Sequence, residues 1–243
     1  MSAPAPAAPS WLDPGRVAAL PRVVLVTGTD TDVGKTWTVA ALAAALARLG
    51  RSVAVHKPVQ TGVGRDEPGD AATVLRLVEE FGAGAGSVVV GEGQRLTEPM
   101  APRPAAALDG VALLPLEAHA ERVAELAARH DHVLVEGSGG LLVELDDDRR
   151  TLADLALLLR QQGWPDSGVV VVVRAGLGTL NHTELTLEAL AARGLDALGT
   201  VLGAWPAEPT PVERGNRAHL AALAVPLLGA LPSGGTGQPT SAP

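Results

Sequence analysis

The chain has 243 residues, a formal net charge of −8, no cysteine, 47% hydrophobic and 19% charged residues. That length and balance suit one globular α/β domain with a substantial core, and acidic charge without a Lys/Arg stripe argues against nucleic acid as a partner. The lack of cysteine excludes disulfides, thiolate metal sites and a cysteine nucleophile, and agrees with a reducing, cytoplasmic setting.

Residues 1–21 and 232–243 are rich in Pro, Gly, Ala, Ser and Thr and read as mobile tails. Met1 to Pro9 has neither a basic start nor an apolar centre, so no signal peptide is expected. Val23–Thr27 predicts a buried parallel strand, followed by a glycine-containing loop and a helix from Gly34 to about Leu49, with Gly50 at its C′ position. Val53–His56 is a second strand, and a Pro/Gly loop leads to a helix over Asp70–Phe81. Residues 82–114 show no clean period and read as irregular. Leu116–His130 has helical spacing, and His132–Val135 is a strand ending at Glu136. Helices over Thr151–Gln161, Thr179–Arg193 and Pro211–Leu223 alternate with strands at Val169–Val173, Ala197–Leu202 and Pro226–Ala230. The alternation predicts one P-loop-type α/β/α domain over 22–231, its mostly parallel sheet covered on both faces. Apolar runs are too short for the ~20 residues a membrane span needs, so no membrane partner is expected.

One bias is informative. Of the 19 basic residues only Lys35 and Lys57 are lysines. A lysine kept against such an arginine preference suits a place that needs a compact point charge.

Gly28-Thr29-Asp30-Thr31-Asp32-Val33-Gly34-Lys35-Thr36 follows the first strand and opens the first helix, the context a phosphate-binding loop requires. Glycines let backbone N–H groups turn toward phosphate oxygens, and the helix N-terminus adds partial positive charge. Lys35 would reach the β/γ oxygens and the Thr36 hydroxyl would bind Mg²⁺. Five residues separate Gly28 from Gly34, one more than the usual pattern. The bland alternative is a plain glycine turn.

Mg²⁺ takes hard oxygen ligands, commonly a hydroxyl with one or two carboxylates. Glu136, at a strand's carboxyl end before Gly137-Ser138-Gly139-Gly140, points toward the crevice where such sheets bind ligands; the alternative is a solvated strand-end acid. Asp70 opens a helix, and spacing leaves metal ligand and N-cap equally open. Lys57, in His56-Lys57-Pro58-Val59-Gln60-Thr61-Gly62, is expected to end its strand at the site rather than enter the core. His56 reads as a strand residue, Asp146–Asp148 as a solvated acidic loop, and Asn181 and His182 as caps or core groups.

Four segments taken in order, 27–36, 57–62, 136–140 and Leu177-Gly178-Thr179-Leu180-Asn181-His182, resemble the motifs of the dethiobiotin synthetase family, including the long phosphate loop. The similarity covers residues 22 to about 232. It implies an ATP-dependent cyclo-ligase that joins 7,8-diaminononanoate and CO₂ or bicarbonate. On this resemblance Lys35 and Thr36 hold phosphates and Mg²⁺, Asp70 and Glu136 complete the metal site, Lys57 is the catalytic lysine, and Asp32 takes the family's acidic loop position. Nucleotide contacts are implied for Asp32, Val33, Gly34, Lys35, Thr36, Trp37, Asp70, Glu136, Gly137, Ser138, Gly139, Gly203, Ala204, Leu231, Pro232 and Ser233. Substrate contacts are implied for Thr61 and for Leu177, Gly178, Thr179, Leu180 and Asn181, the last five reaching across a homodimer interface.

Two departures stand out. Ser138 replaces a common alanine, and Gly203 stands where some members place an adenine-reading asparagine, which leaves other nucleoside triphosphates open as substrates. An amidoligase of the cobyrinate a,c-diamide synthetase kind would carry a glutamine-amidotransferase domain with a cysteine, absent here. A partitioning-type ATPase would carry a second early lysine in the loop, where this chain has Asp30 and Thr31.

Overall fold

Runs of β-branched and aliphatic residues dictate the sheet. The computed structural model describes residues 11–84 and 86–233. Seven strands, β1 (Val23–Gly28), β2 (Val53–Gln60), β3 (Val88–Arg95), β4 (His132–Gly140), β5 (Gly168–Val173), β6 (Ala197–Trp205) and β7 (Leu227–Pro232), pair in the order β3-β2-β4-β1-β5-β6-β7. Every neighbouring pair is parallel. The central β1 and β5 are buried along their whole length, which explains their continuous apolar sequence.

The helices are α1 (Pro14–Ala18), α2 (Lys35–Arg48), α3 (Asp70–Glu80), α4 (Pro102–Asp109), α5 (Leu116–Ala127), α6 (Leu152–Gln161), α7 (Thr179–Ala191) and α8 (Pro211–Ala222). Side chains alternate across the sheet. Leu25, Val135, Val169 and Val171 join Leu116, Val123, Leu152 and Leu155 of α5 and α6. Val24, Val26, Leu134 and Val170 join Val39, Leu42, Leu46, Val74 and Leu77 of α2 and α3. Thr151 with Asp154 and Thr210 with Glu213 form capping boxes that start α6 and α8. Because all strands run one way, their carboxyl ends and following loops share one edge, where such sheets bind ligands.

Three expectations are corrected. Residues 11–21 are part of the fold rather than a tail. Leu12 bridges Gly229 antiparallel, Asp13 N–H donates to the Leu228 carbonyl at 2.8 Å, and Ala230 N–H donates to the Trp11 carbonyl at 3.0 Å. The Trp11 ring stands edge-on to Phe81 at 5.2 Å, so burial of Trp11, Leu12, Val17 and Leu20 holds the segment. Pro232 and Ser233 are likewise ordered, whereas the rest of the expected C-terminal tail and residues 1–10 lie outside the described residues.

The segment read as irregular contains β3 and α4. β3 is an edge strand with Gly91 and Gly93 and partial exposure, which blurs its period. α4 begins at Pro102, where a missing N–H does no harm, and ends at Gly110 in the left-handed region (φ +68°). Finally, β2, β4 and β6 run beyond their expected ends. Pairing of β2 with β3 steps over Pro58, with Lys57 opposite Glu92 and Val59 opposite Gln94, so the strand continues past a residue without a donor.

Candidate active site

The loop between β1 and α2 is shaped by close backbone contacts. Gly34, at φ +96°, lies so near Gly203 that a Cβ would stand 2.6 Å from the Gly203 carbonyl oxygen. A Cβ on Gly203 would stand 1.9 Å from the Val33 carbonyl oxygen. Position 203 therefore admits only glycine, and no base-reading side chain could project from it on this backbone. Asp32 takes a left-handed conformation (φ +55°) that is uncommon outside glycine and marks a tight turn. Lys35 starts α2 and folds back to donate to the Asp30 carbonyl at 2.9 Å. Burial first, then the neighbouring Lys57, pulls its ammonium pKa down to about 8, against the pull of Glu136, Asp70 and Asp32.

Facing the loop, three elements bring opposite charges together. Lys57, far along β2, lies 2.8 Å from Glu136 Oε1 of β4 and 2.5 Å from Asp70 Oδ2 of α3. Thr36 donates its hydroxyl to the same Glu136 oxygen at 2.9 Å. Lys57 is only 5% exposed and Glu136 1%, so the expectation that Lys57 stays out of the core is corrected. The strand continues beyond it, and the charge is tolerated because both acids pair with it. Burial disfavours the ammonium, yet Glu136 and then Asp70 outweigh it and hold its pKa above the usual lysine value. Burial pushes the Glu136 carboxyl upward, and Asp70 adds to that, while Lys57 and Thr36 oppose it.

Gln60 orients the third member, its side-chain oxygen accepting the Asp70 N–H at 2.8 Å while its amide donates to the Thr61 carbonyl at 3.0 Å. The N-cap of α3 is Gly69, so Asp70 stands at the first helical position rather than at the cap, and its carboxylate pairs with Lys57. Ser138 donates to the Val59 carbonyl at 2.7 Å and ties β4 to β2.

These groups open on a cavity of about 630 Å³. Of the residues singled out from sequence, Asp32, Gly34, Lys35, Thr36, Trp37, Lys57, Thr61, Asp70, Glu136, Ser138 and Gly139 line it. Val33 lies buried under Gly203. Gly137 faces Leu152 behind the site, with its carbonyl 3.5 Å from the Lys57 nitrogen. Gly203, Ala204, Leu231, Pro232 and Ser233 gather on the neighbouring ends of β6 and β7, where Ser233 N–H donates to the Trp205 carbonyl, and are not part of this cavity wall. Leu177 to Asn181 form the turn into α7, away from the cavity, with Leu177 81% exposed and Gly178 left-handed at the N-cap.

Sequence reasoning missed Gln60, Thr73, Arg76 and Met100, which also line the cavity. Asp70, Thr73 and Arg76 recur every three residues, a spacing that sets them along one side of α3 and could have revealed Thr73 and Arg76. Gln60 carries no comparable signal. Among the described residues, no group of three or more His, Cys, Asp or Glu side chains forms a metal cluster.

A phosphate loop between a buried parallel strand and a helix, facing a lysine held by two acids, defines a P-loop nucleotide-binding protein of the α/β class. A family model described as an AAA domain matches residues 22–237. The chain is 50% identical to the ATP-dependent dethiobiotin synthetase BioD of Rhodococcus jostii over 87% of each chain. It is 51% identical to that of Streptomyces avermitilis, over 87% of this chain and 84% of the relative, and 48% identical to that of Rhodococcus erythropolis, over 87% and 88%. The chain belongs to the ATP-dependent dethiobiotin synthetase family.

Proposed function

We propose that the chain uses ATP to join 7,8-diaminononanoate and CO₂ into the ureido ring of dethiobiotin, releasing ADP and phosphate. The observation that carries this reading is the buried Lys57 ammonium at the wall of the cavity that also holds the phosphate-loop lysine. One substrate amine takes up CO₂ as a carbamate. A carbamate oxygen then attacks the γ-phosphorus and ADP departs. The second amine attacks the carbamate carbon, the ring closes, and phosphate leaves with the oxygen that had bonded to phosphorus. Both partners in phosphoryl transfer are anionic, so catalysis needs fixed positive charge between them. Lys35 and Lys57 supply it, and no nucleophilic side chain is required. Thr61 lines the cavity near Lys57 and is suited to orient the diamine.

The donor set suits Mg²⁺. Thr36, Glu136 and Asp70 offer a hydroxyl and two carboxylates around a spot where the Lys57 ammonium already sits, so the place tolerates a cation. Bound there, the ion would neutralise phosphate charge during transfer. Leu177, an exposed leucine on the turn into α7, gives a second copy an apolar tip to cover and supports a homodimer. No helix among the described residues is long and apolar enough to cross a membrane; with the cysteine-free composition, this supports a cytoplasmic location.

Phosphate release from ATP should require the diamine and bicarbonate together and should stop when Mg²⁺ is chelated. Release at the same rate without diamine would contradict the proposal and favour a switch ATPase.

A further inference from the structure

The phosphate loop carries two carboxylates, Asp30 and Asp32, in a place that must receive a polyanion. Asp30 lies at the loop's outer arm. Its Oδ1 accepts the Thr31 N–H at 2.8 Å, and its main-chain carbonyl holds the Lys35 ammonium. Its other carboxylate oxygen is held from outside the loop by Arg174, whose Nη2 lies 2.5 Å away. Arg174 follows the last residue of β5, and β5 also fixes the loop through the Thr29 N–H, which donates to the Val172 carbonyl at 2.9 Å.

From this we infer that Arg174 is a positioning residue for the nucleotide. It cancels the Asp30 charge and holds Asp30 in the orientation that presents its carbonyl to Lys35. Without the guanidinium, an uncompensated carboxylate would stand in the phosphate loop, and like charges brought together in a binding site cost affinity. The arginine acts through Asp30 rather than on the phosphates. Reach and geometry agree: the pair is made across the loop rim by a side chain 40% exposed, whose Nε is buried without a partner among the described residues. The ion pair is therefore what holds the guanidinium at the rim, and no other acid forms a salt bridge with it among the described residues. This inference rests on the reading of the cavity as an ATP site.

Calorimetric titration of the full chain with ATP and Mg²⁺ tests it as a double-mutant cycle. Arg174→Gln should weaken ATP binding by about tenfold in the native background, the scale of one unrelieved like-charge contact. In an Asp30→Asn background, where the amide keeps the Thr31 bond but loses the charge, the same substitution should cost about twofold or less. Arg174→Lys, which keeps the cation, should recover most of the affinity. An equal loss in both backgrounds, or no loss in either, would overturn the inference. Wild-type protein that binds no ATP would overturn the reading of the cavity and this inference with it.

Discussion

At Lys57, one ammonium balances two acids that would otherwise face each other inside the fold. Glu136 cannot turn to water, because it is 1% exposed at the centre of the sheet edge. Lys57→Ala would leave that carboxylate buried without its partner, a change that typically costs about 3–5 kcal/mol unless the acid takes up a proton. The substitution should therefore lower the melting temperature and also reduce turnover by ~10²–10³, the scale for losing one preorganised charge. Thermal melts and single-turnover rates on the same preparation check both. A variant with native stability and more than a third of native turnover would remove Lys57 from the account. Asp70→Asn separates the two roles, since it is nearly isosteric and lies one residue past the N-cap Gly69, and it should mainly raise the Mg²⁺ concentration needed for half-maximal rate. A Mg²⁺ titration that overlays the native curve would take Asp70 out of the metal site.

The segment from Trp11 to Leu20 is the element whose role was least visible in advance. It lays Leu12 against β7 and pins the Trp11 ring on Phe81, covering the exposed edge of the sheet. Gly229 is essential to that approach, since a Cβ there would meet the Trp11 carbonyl oxygen at 2.0 Å. Gly229→Ala should destabilise the protein by about 1–3 kcal/mol, a typical cost of overpacking. In a chain lacking residues 1–20 the same substitution should cost far less, because the clash partner is gone. Urea midpoints of the four proteins decide; equal costs in both backgrounds would show that the strap is not what the glycine admits.

Other elements differ in how plainly the sequence spoke. β1 and β5 were legible because burial on both faces leaves an unbroken β-branched run, and α2 because Gly34-Lys35-Thr36 marks its start and Gly50 its end. β3 and α4 were not, since an edge strand with two glycines and a helix with two prolines each blur the expected period. The strap was hidden because what holds it lies far along the chain, Phe81 against the Trp11 ring and Leu228 to Ala230 against its backbone. Within the site, the lysine bias pointed to Lys35 and Lys57, whereas Gln60 and Arg174 act through contacts that no local pattern announces.

At the scale of the whole molecule, the core carries an acid-sensitive group. His56 is 1% exposed, its two ring nitrogens have no partner among the described residues, and its ring lies 5.7 Å from that of His119. Burial, then His119 and Arg122, depresses its pKa from 6.5 to about 3. The folded state therefore stays unprotonated where the unfolded chain takes up a proton, so stability falls as pH drops from about 6.5 toward 3. The slope from this residue is at most about 1.4 kcal/mol per pH unit. Replacing His56 by Leu should flatten the difference between urea midpoints at pH 7 and pH 5, and an unchanged difference would assign acid sensitivity elsewhere.

The central claim is that two lysines and two acids serve phosphoryl transfer to a carbamate rather than to water. The fate of one oxygen tests it most directly. With ¹⁸O-labelled CO₂, diamine, ATP and Mg²⁺ in unlabelled water, ring closure must expel phosphate carrying one oxygen that came from CO₂. Mass spectrometry of the phosphate formed in the first turnovers, before the label exchanges with water, should show that singly labelled species in step with ring formation. Phosphate released without label while the ring forms, or released with its new oxygen drawn from water, would contradict the account.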